Sequence, residues 1–194
     1  MTISLGLTGS IGTGKSTTAQ MFKAHGAAVW SADAAVHALY ALGGAAVPKV
    51  QALFPGVVED GAVNRRELSV ILRADPNRLQ DIEEIVHPLV ALDRADTLEN
   101  ASEWLVIFEV PLLFEKGIDA EMDVTACTSV SVDVQKRRVL ERPGVTEAQL
   151  DFILQHHWPS AKKCAASDYV IDTSTHQTAE KDVARIVREL REAS

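Results

Sequence analysis

Cysteine is scarce: the chain of 194 residues has two, Cys127 and Cys164. Two thiols outside a C-x-x-C pair cannot make a disulfide framework, and both are expected to be reduced. A basic excess is also lacking, since 19 Lys and Arg stand against 27 Asp and Glu, a net charge of −8. No global positive field exists to hold a polyanion, which argues against nucleic acid as a partner. No apolar run approaches the roughly 20 residues that span a bilayer, and the opening stretch from Met1 to Leu7 has no basic leader region. A cytoplasmic protein with no membrane partner is the expectation. Repeats and low-complexity tracts are missing as well, which leaves no sign of a solenoid or a disordered linker. His25, His37, His156, His157 and His176 have no metal-ligand spacing, and no Ser/His/Asp nucleophile arrangement is identifiable.

What is present is an ordinary globular composition, 46% hydrophobic and 24% charged. Chains of this size bury roughly 70% of their unfolded surface. Short apolar runs at residues 3–8, 27–30, 104–110, 122–127 and 169–172 suit buried strands. Helical patterns fill the intervals at about 15–24, 32–42, 65–73, 79–98, 132–141, 146–157, 161–166 and 179–191. Pro88 is expected to kink or split the longest of these. Strands that alternate with helices predict an α/β fold with a parallel sheet. The stretch from Pro48 to Asn100 has no strong strand and reads as a helical insertion into one domain.

Gly9-Ser10-Ile11-Gly12-Thr13-Gly14-Lys15-Ser16 satisfies the P-loop pattern G-x-x-x-x-G-K-S/T directly after the first strand and opens a helix, the context the motif requires. Composition alone would produce such a match in about one chain in a hundred or fewer. The glycines let the backbone turn tightly so that several N–H groups converge, and the helix N-terminus adds partial positive charge. Nucleotide phosphates are the expected occupants, held by Gly9, Gly12, Thr13, Gly14 and Lys15, with the Thr17 hydroxyl near the α phosphate. Lys15 reaches the β and γ phosphates as a point charge, and the Ser16 hydroxyl ligates Mg²⁺.

A P-loop alone does not separate switches, motors and kinases. No Asn-Lys-x-Asp occurs, so the guanine-reading element of GTP switches is missing, and the chain has no room for motor machinery. A small-molecule kinase fits the size and the acidic charge. Asp33 follows the second strand, where a parallel sheet gathers its ligands at the carboxyl edge. Its carboxylate suits a general base or a water-mediated metal contact, and equally a helix cap. Gln135, Arg138 and Arg142 fall at i, i+3 and i+7 on one helix face. Arginine forks suit phosphate oxygens, so a helix of this kind before Pro143-Gly144 reads as a lid that closes over ATP. A solvated face paired with Glu141 or Glu147 is the competing reading.

With these residues assembled, the sequence resembles the dephospho-CoA kinases along nearly its whole length. The marks are residues 6–17, Ala32-Asp33, Asn64-Arg65, His87-Pro88, Pro111-Leu112-Leu113-Phe114-Glu115, Gln135 with Arg138 and Arg142, Gln155, and Asp168 before Val170-Ile171. The resemblance implies a P-loop NTPase fold of the nucleoside-monophosphate-kinase type, with a helical acceptor-binding insertion and an arginine-bearing lid. It implies one kinase domain: a core of about 1–46, 101–130 and 167–194, the insertion at about 47–100, and the lid at about 131–166. The implied reaction moves the γ-phosphoryl group of ATP, with Mg²⁺, to the ribose 3′-hydroxyl of dephospho-CoA. Lys15, Asp33, Arg138 and Arg142 take the catalytic positions, Asp33 as base, while Thr8, Asp33, Arg65 and His87 take the acceptor side. For His87, a capping or buried hydrogen-bonding role competes. The chain departs from the family pattern at Ser31 and Asn64, where aspartate is common, and at Ser167 and Thr173, where alanine and asparagine are. The alternatives are another P-loop kinase, acting on a nucleoside or nucleotide, and a noncatalytic nucleotide-binding module.

Overall fold

The uncharged run ISLGLTG forms β1 (Ile3–Gly9), buried from Ser4 onward. Residues 10–14 turn the chain into α1 (Lys15–Ala24), which buries Thr18, Ala19, Met21 and Phe22, and β2 (Ala28–Ser31) follows. In the computed structural model, which describes residues 2–193, the chain divides here into two units. One comprises Met1–Trp30 and Ala101–Ser194, the other Ser31–Asn100.

The second unit holds α2 (Ala32–Tyr40), α3 (Val47–Leu53), a short hairpin of β3 (Val58–Glu59) and β4 (Ala62–Val63), α4 (Arg65–Ala74) and α5 (Arg78–Glu99). Its core gathers Tyr40, Val50, Phe54, Val57, Leu68 and Ile85. Asn64 caps α4, its Oδ1 accepting from the N–H groups of Arg66 and Glu67 at 3.1 Å each. Asparagine caps as well as aspartate does, so the departure at this position leaves the helix start intact. Pro88 does not split α5, which runs unbroken over 22 residues. A proline removes one ladder bond, and the buried Ile82, Ile85 and Val86 hold the turns before it against the core.

The chain then returns to the first unit with β5 (Leu105–Glu109), a 3-10 turn at Ile118–Glu121, β6 (Val124–Ser129), α6 (Val132–Leu140), α7 (Glu147–His156), α8 (Ser160–Ala166), β7 (Tyr169–Asp172) and α9 (His176–Ala193). The five long strands form one sheet in the order β2-β5-β1-β6-β7. β1 pairs in parallel with β5 (Leu7 opposite Glu109) and with β6 (Thr8 opposite Cys127), and β6 pairs in parallel with β7. The expected parallel α/β sheet is therefore present. Leu5, Leu7, Phe22, Ile107, Ile171 and Ile186 lie in the core between the sheet and the packed helices. Asp168 pins the start of β7, its Oδ2 accepting from the Thr125 N–H (2.8 Å) and hydroxyl (2.7 Å). Both cysteines are free, and their Sγ atoms lie 3.5 Å apart.

Candidate active site

The loop between β1 and α1 stands on a network of threonines. Thr13 is buried and its hydroxyl lies 2.8 Å from the Ser10 carbonyl and 2.7 Å from the Thr128 hydroxyl. Thr173 donates its hydroxyl to the Thr13 carbonyl at 2.7 Å. Gln135 is also buried, and its Nε2 donates to Ser10 Oγ (2.9 Å) and to the Ile11 carbonyl (2.8 Å). Gln135 thus braces the loop from behind while Arg138, one turn on, faces a cavity. Gly12 and Gly14 have φ of 77° and 87°, the left-handed region that side chains disfavour. A Cβ on Gly12 would also meet Val139 Cγ2 at 2.5 Å.

Gly14 is the N-cap of α1 and offers no capping side chain. The first N–H groups of that helix therefore remain directed at whatever sits in the loop, the arrangement that binds anions. Lys15 arches back over the loop, its Nζ donating to the carbonyls of Gly9 (2.9 Å) and Ser10 (3.1 Å). Ser16 donates its hydroxyl to Glu109 Oε1 at 2.7 Å. Thr8, expected on the acceptor side, is fully buried and gives its hydroxyl to the Pro111 carbonyl at 3.2 Å. It supports the root of the loop rather than lining its mouth.

Beside the loop opens a cavity of about 340 Å³, lined by Gly12, Gly14, Thr17, Thr18 and Met21 on one side and by Arg138, Arg142, Thr173, Thr175, His176 and Ala179 on the other. Thr18 is buried in this wall, and its hydroxyl has no hydrogen-bond partner within the protein. Arg138 donates to the carbonyls of Thr173 (2.8 Å) and Ser174 (3.4 Å). Arg142 lies just past the end of α6, its N–H donating to Val139. The competing solvated-face partner, Glu147, pairs instead with Lys136 at 3.0 Å.

Asp33, Arg65 and His87 belong to the second unit. Asp33 is exposed in the first turn of α2, and the N-cap there, Ser31, makes no capping bond with its side chain. Arg65 opens α4 and is exposed, and its charge offsets part of the rise in the Tyr40 hydroxyl's pKa that burial causes. His87 sits in mid-helix with its side chain 52% exposed, 3.9 Å from Glu83. Neither a cap nor a buried hydrogen bond describes it.

Sequence reasoning missed Glu109, Thr18, Thr175 and His176. Glu109 ends an apolar strand, and a lone carboxylate at a strand end is the one local signal that pointed to it. The other three lie on helix or loop segments whose meeting depends on how α1 and α9 pack.

A glycine-rich loop between a central parallel strand and an uncapped helix, with its lysine, a Ser–Glu pair and an adjoining cavity, defines a P-loop phosphotransferase. The sequence profile of the dephospho-CoA kinase family matches residues 3–179. A dephospho-CoA kinase of Ruegeria pomeroyi is 52% identical over 98% of this chain and 97% of its own. A crystal structure of a Thermus thermophilus protein superposes with a TM-score of 0.85 at 29% identity, covering 100% of this chain and 98% of that one. The dephospho-CoA kinase structure from Campylobacter jejuni shares the fold at 17% identity, with a TM-score of 0.64 over 96% of both chains. The chain belongs to the dephospho-CoA kinase family.

Proposed function

We propose that the chain performs its family's reaction with the residues named above, transferring the γ-phosphoryl group of ATP to the ribose 3′-hydroxyl of dephospho-CoA to give coenzyme A and ADP. The observation that carries this reading is the joining, within one unit, of the Lys15 loop and a cavity large enough for a nucleoside. In it, the loop N–H groups and Lys15 hold the phosphates, and the cavity beside Thr18, Thr175 and His176 takes the nucleoside. Arg138 and Arg142, in the lid region of about 131–166, close on the nucleotide and offset charge that builds up in the transition state. Asp33 accepts the proton of the 3′-hydroxyl as its oxygen bonds to the γ phosphorus and the bond to the ADP oxygen breaks. Arg65 and His87 bind the acceptor from the helical unit.

Mg²⁺ fits the donor set. Ser16 and Glu109 bring two hard oxygens together, and among the described residues no group of three His, Cys, Asp or Glu could hold a metal alone. That suits an ion that keeps water and phosphate oxygens as most of its ligands. When bound, it neutralises charge on the β and γ oxygens. The deciding experiment follows ADP release from ATP with Mg²⁺ over a panel of dephospho-CoA, nucleosides, nucleotides and pantothenate derivatives. Turnover confined to dephospho-CoA is expected. Faster turnover of a nucleoside or nucleotide would select the other kinase reading, and binding without turnover would select a nucleotide-sensing module. No helix among the described residues is long and apolar enough to cross a membrane.

A further inference from the structure

Lys163, on α8, has no exposed surface. Burying an ammonium is costly unless its protons are used, and here two of the three are. Nζ donates to the Pro111 carbonyl at 2.5 Å and to Glu115 Oε1 at 2.9 Å. The Pro111 carbonyl also receives the Thr8 hydroxyl at 3.2 Å, and Glu115 Oε1 also receives the Trp158 N–H at 2.8 Å. One cation thereby ties together the residue before the P-loop, the segment leaving β5 and the turn between α7 and α8.

The Pro111 contact matters most. Ladder bonding carries the segment after β5 as far as Val110, whose N–H donates to the Leu7 carbonyl at 3.0 Å. Pro111 has no N–H to continue it, so its carbonyl, taken by Thr8 and Lys163, is what anchors the chain there. Two residues earlier stands Glu109, the partner of the Ser16 hydroxyl. A pair kept for stability alone would be replaceable by apolar residues of similar volume. We propose that Lys163 is a positioning residue of the phosphoryl-transfer site: through the Pro111 carbonyl it fixes where β5 ends, and so where Glu109 meets Ser16 at the metal-binding side of the nucleotide. The proposal rests on the kinase reading and assigns Lys163 a task within that site.

The test must separate positioning from folding, because Lys163→Met alone strands the Glu115 carboxylate in the interior. The double variant K163M/E115Q removes both charges at similar volume, and Glu115→Gln alone reports the loss of the ion pair with the Pro111 contact kept. Melting temperature, kcat and KM for ATP, and ADP affinity by calorimetry with and without Mg²⁺ are measured on each full-length protein. The double variant is expected to melt near Glu115→Gln yet lose about tenfold or more in kcat, the scale of a misplacement well under an ångström to about one. KM for ATP should change little, and the strengthening of ADP binding by Mg²⁺ should shrink. Should the double variant not fold, Lys163→Arg, which keeps the charge but not the compact ammonium geometry, carries the same expectation at smaller size. Equal kcat and equal Mg²⁺ enhancement in the double variant and Glu115→Gln, or in Lys163→Arg and wild type, would overturn the proposal. If wild type releases no ADP with any acceptor, the kinase reading has failed. The Mg²⁺ enhancement of ADP binding still decides the role of Lys163.

Discussion

Replacing Asp33 by asparagine separates the two tasks its carboxylate suits. Asparagine is as good an N-cap as aspartate but cannot take up a proton. Because Ser31 is the N-cap of α2, the variant should keep its melting temperature and its affinity for ADP. Its kcat with dephospho-CoA should fall by roughly 10² to 10⁴, the range for a lost general base. A variant with wild-type kcat would remove Asp33 from the chemistry. Lys15→Ala tests the other end of the transfer. With the point charge gone from a loop, ADP production should drop by about 10² or more at nearly unchanged thermal stability, and retained turnover would mean that the phosphates lie elsewhere. Lys15 and Ser16 were legible because a P-loop is a local pattern whose geometry follows from eight consecutive residues. Glu109 and Lys163 were not. The first acquires its meaning from a hydrogen bond across 93 positions of sequence, and the second reads as one more lysine on a short helix until its burial is seen. Nor does anything in the sequence tell that the Thr8 hydroxyl is already given to Pro111.

At the level of elements, period and punctuation located the five long strands and the main helices, and what they could not supply was which neighbour each face meets. The face of α6 illustrates this. Its three spaced polar residues were placed on one face, yet Gln135 is buried against the loop while Arg138 and Arg142 line the cavity. The two arginines should therefore behave differently on removal. Arg138→Ala frees the carbonyls of Thr173 and Ser174, so it should weaken ADP binding as well as lower kcat. Arg142→Ala should lower kcat mainly. Both should melt close to wild type, because partly exposed arginine contacts contribute about 0 to 1 kcal/mol. Wild-type kinetics in both would return α6 to a solvated role. In the helical unit, Asn64→Ala removes the cap of α4 and should cost about 1 kcal/mol of stability, readable as a lower denaturant midpoint. An unchanged midpoint would mean that water satisfies those N–H groups equally well.

Across the whole molecule, acid should act through two groups flanking the same turn between α7 and α8. Burial, with the charge of Lys163 adding to it, holds the pKa of His157 below its ordinary value, against an opposing pull from Glu115. Unfolded, that imidazole titrates near about 6.5, so as pH falls through this value the unfolded chain takes up the proton first and stability drops. Burial pushes the Glu115 carboxyl up, but the hydrogen bonds from Lys163 and the Trp158 N–H outweigh it and hold it below the usual carboxylate range. The stabilisation from Glu115 is then full above its unfolded pKa, about 4.3, and disappears as pH falls through the folded value. Urea midpoints measured from pH 8 to pH 3 should thus decline in two stages, one centred near or below pH 6.5 and a second below about pH 4.3. His157→Gln should flatten the first stage and leave the second. If His157→Gln loses stability between pH 7 and pH 5.5 as steeply as wild type, the first stage arises elsewhere, and the turn between α7 and α8 is not where acid first loosens the fold.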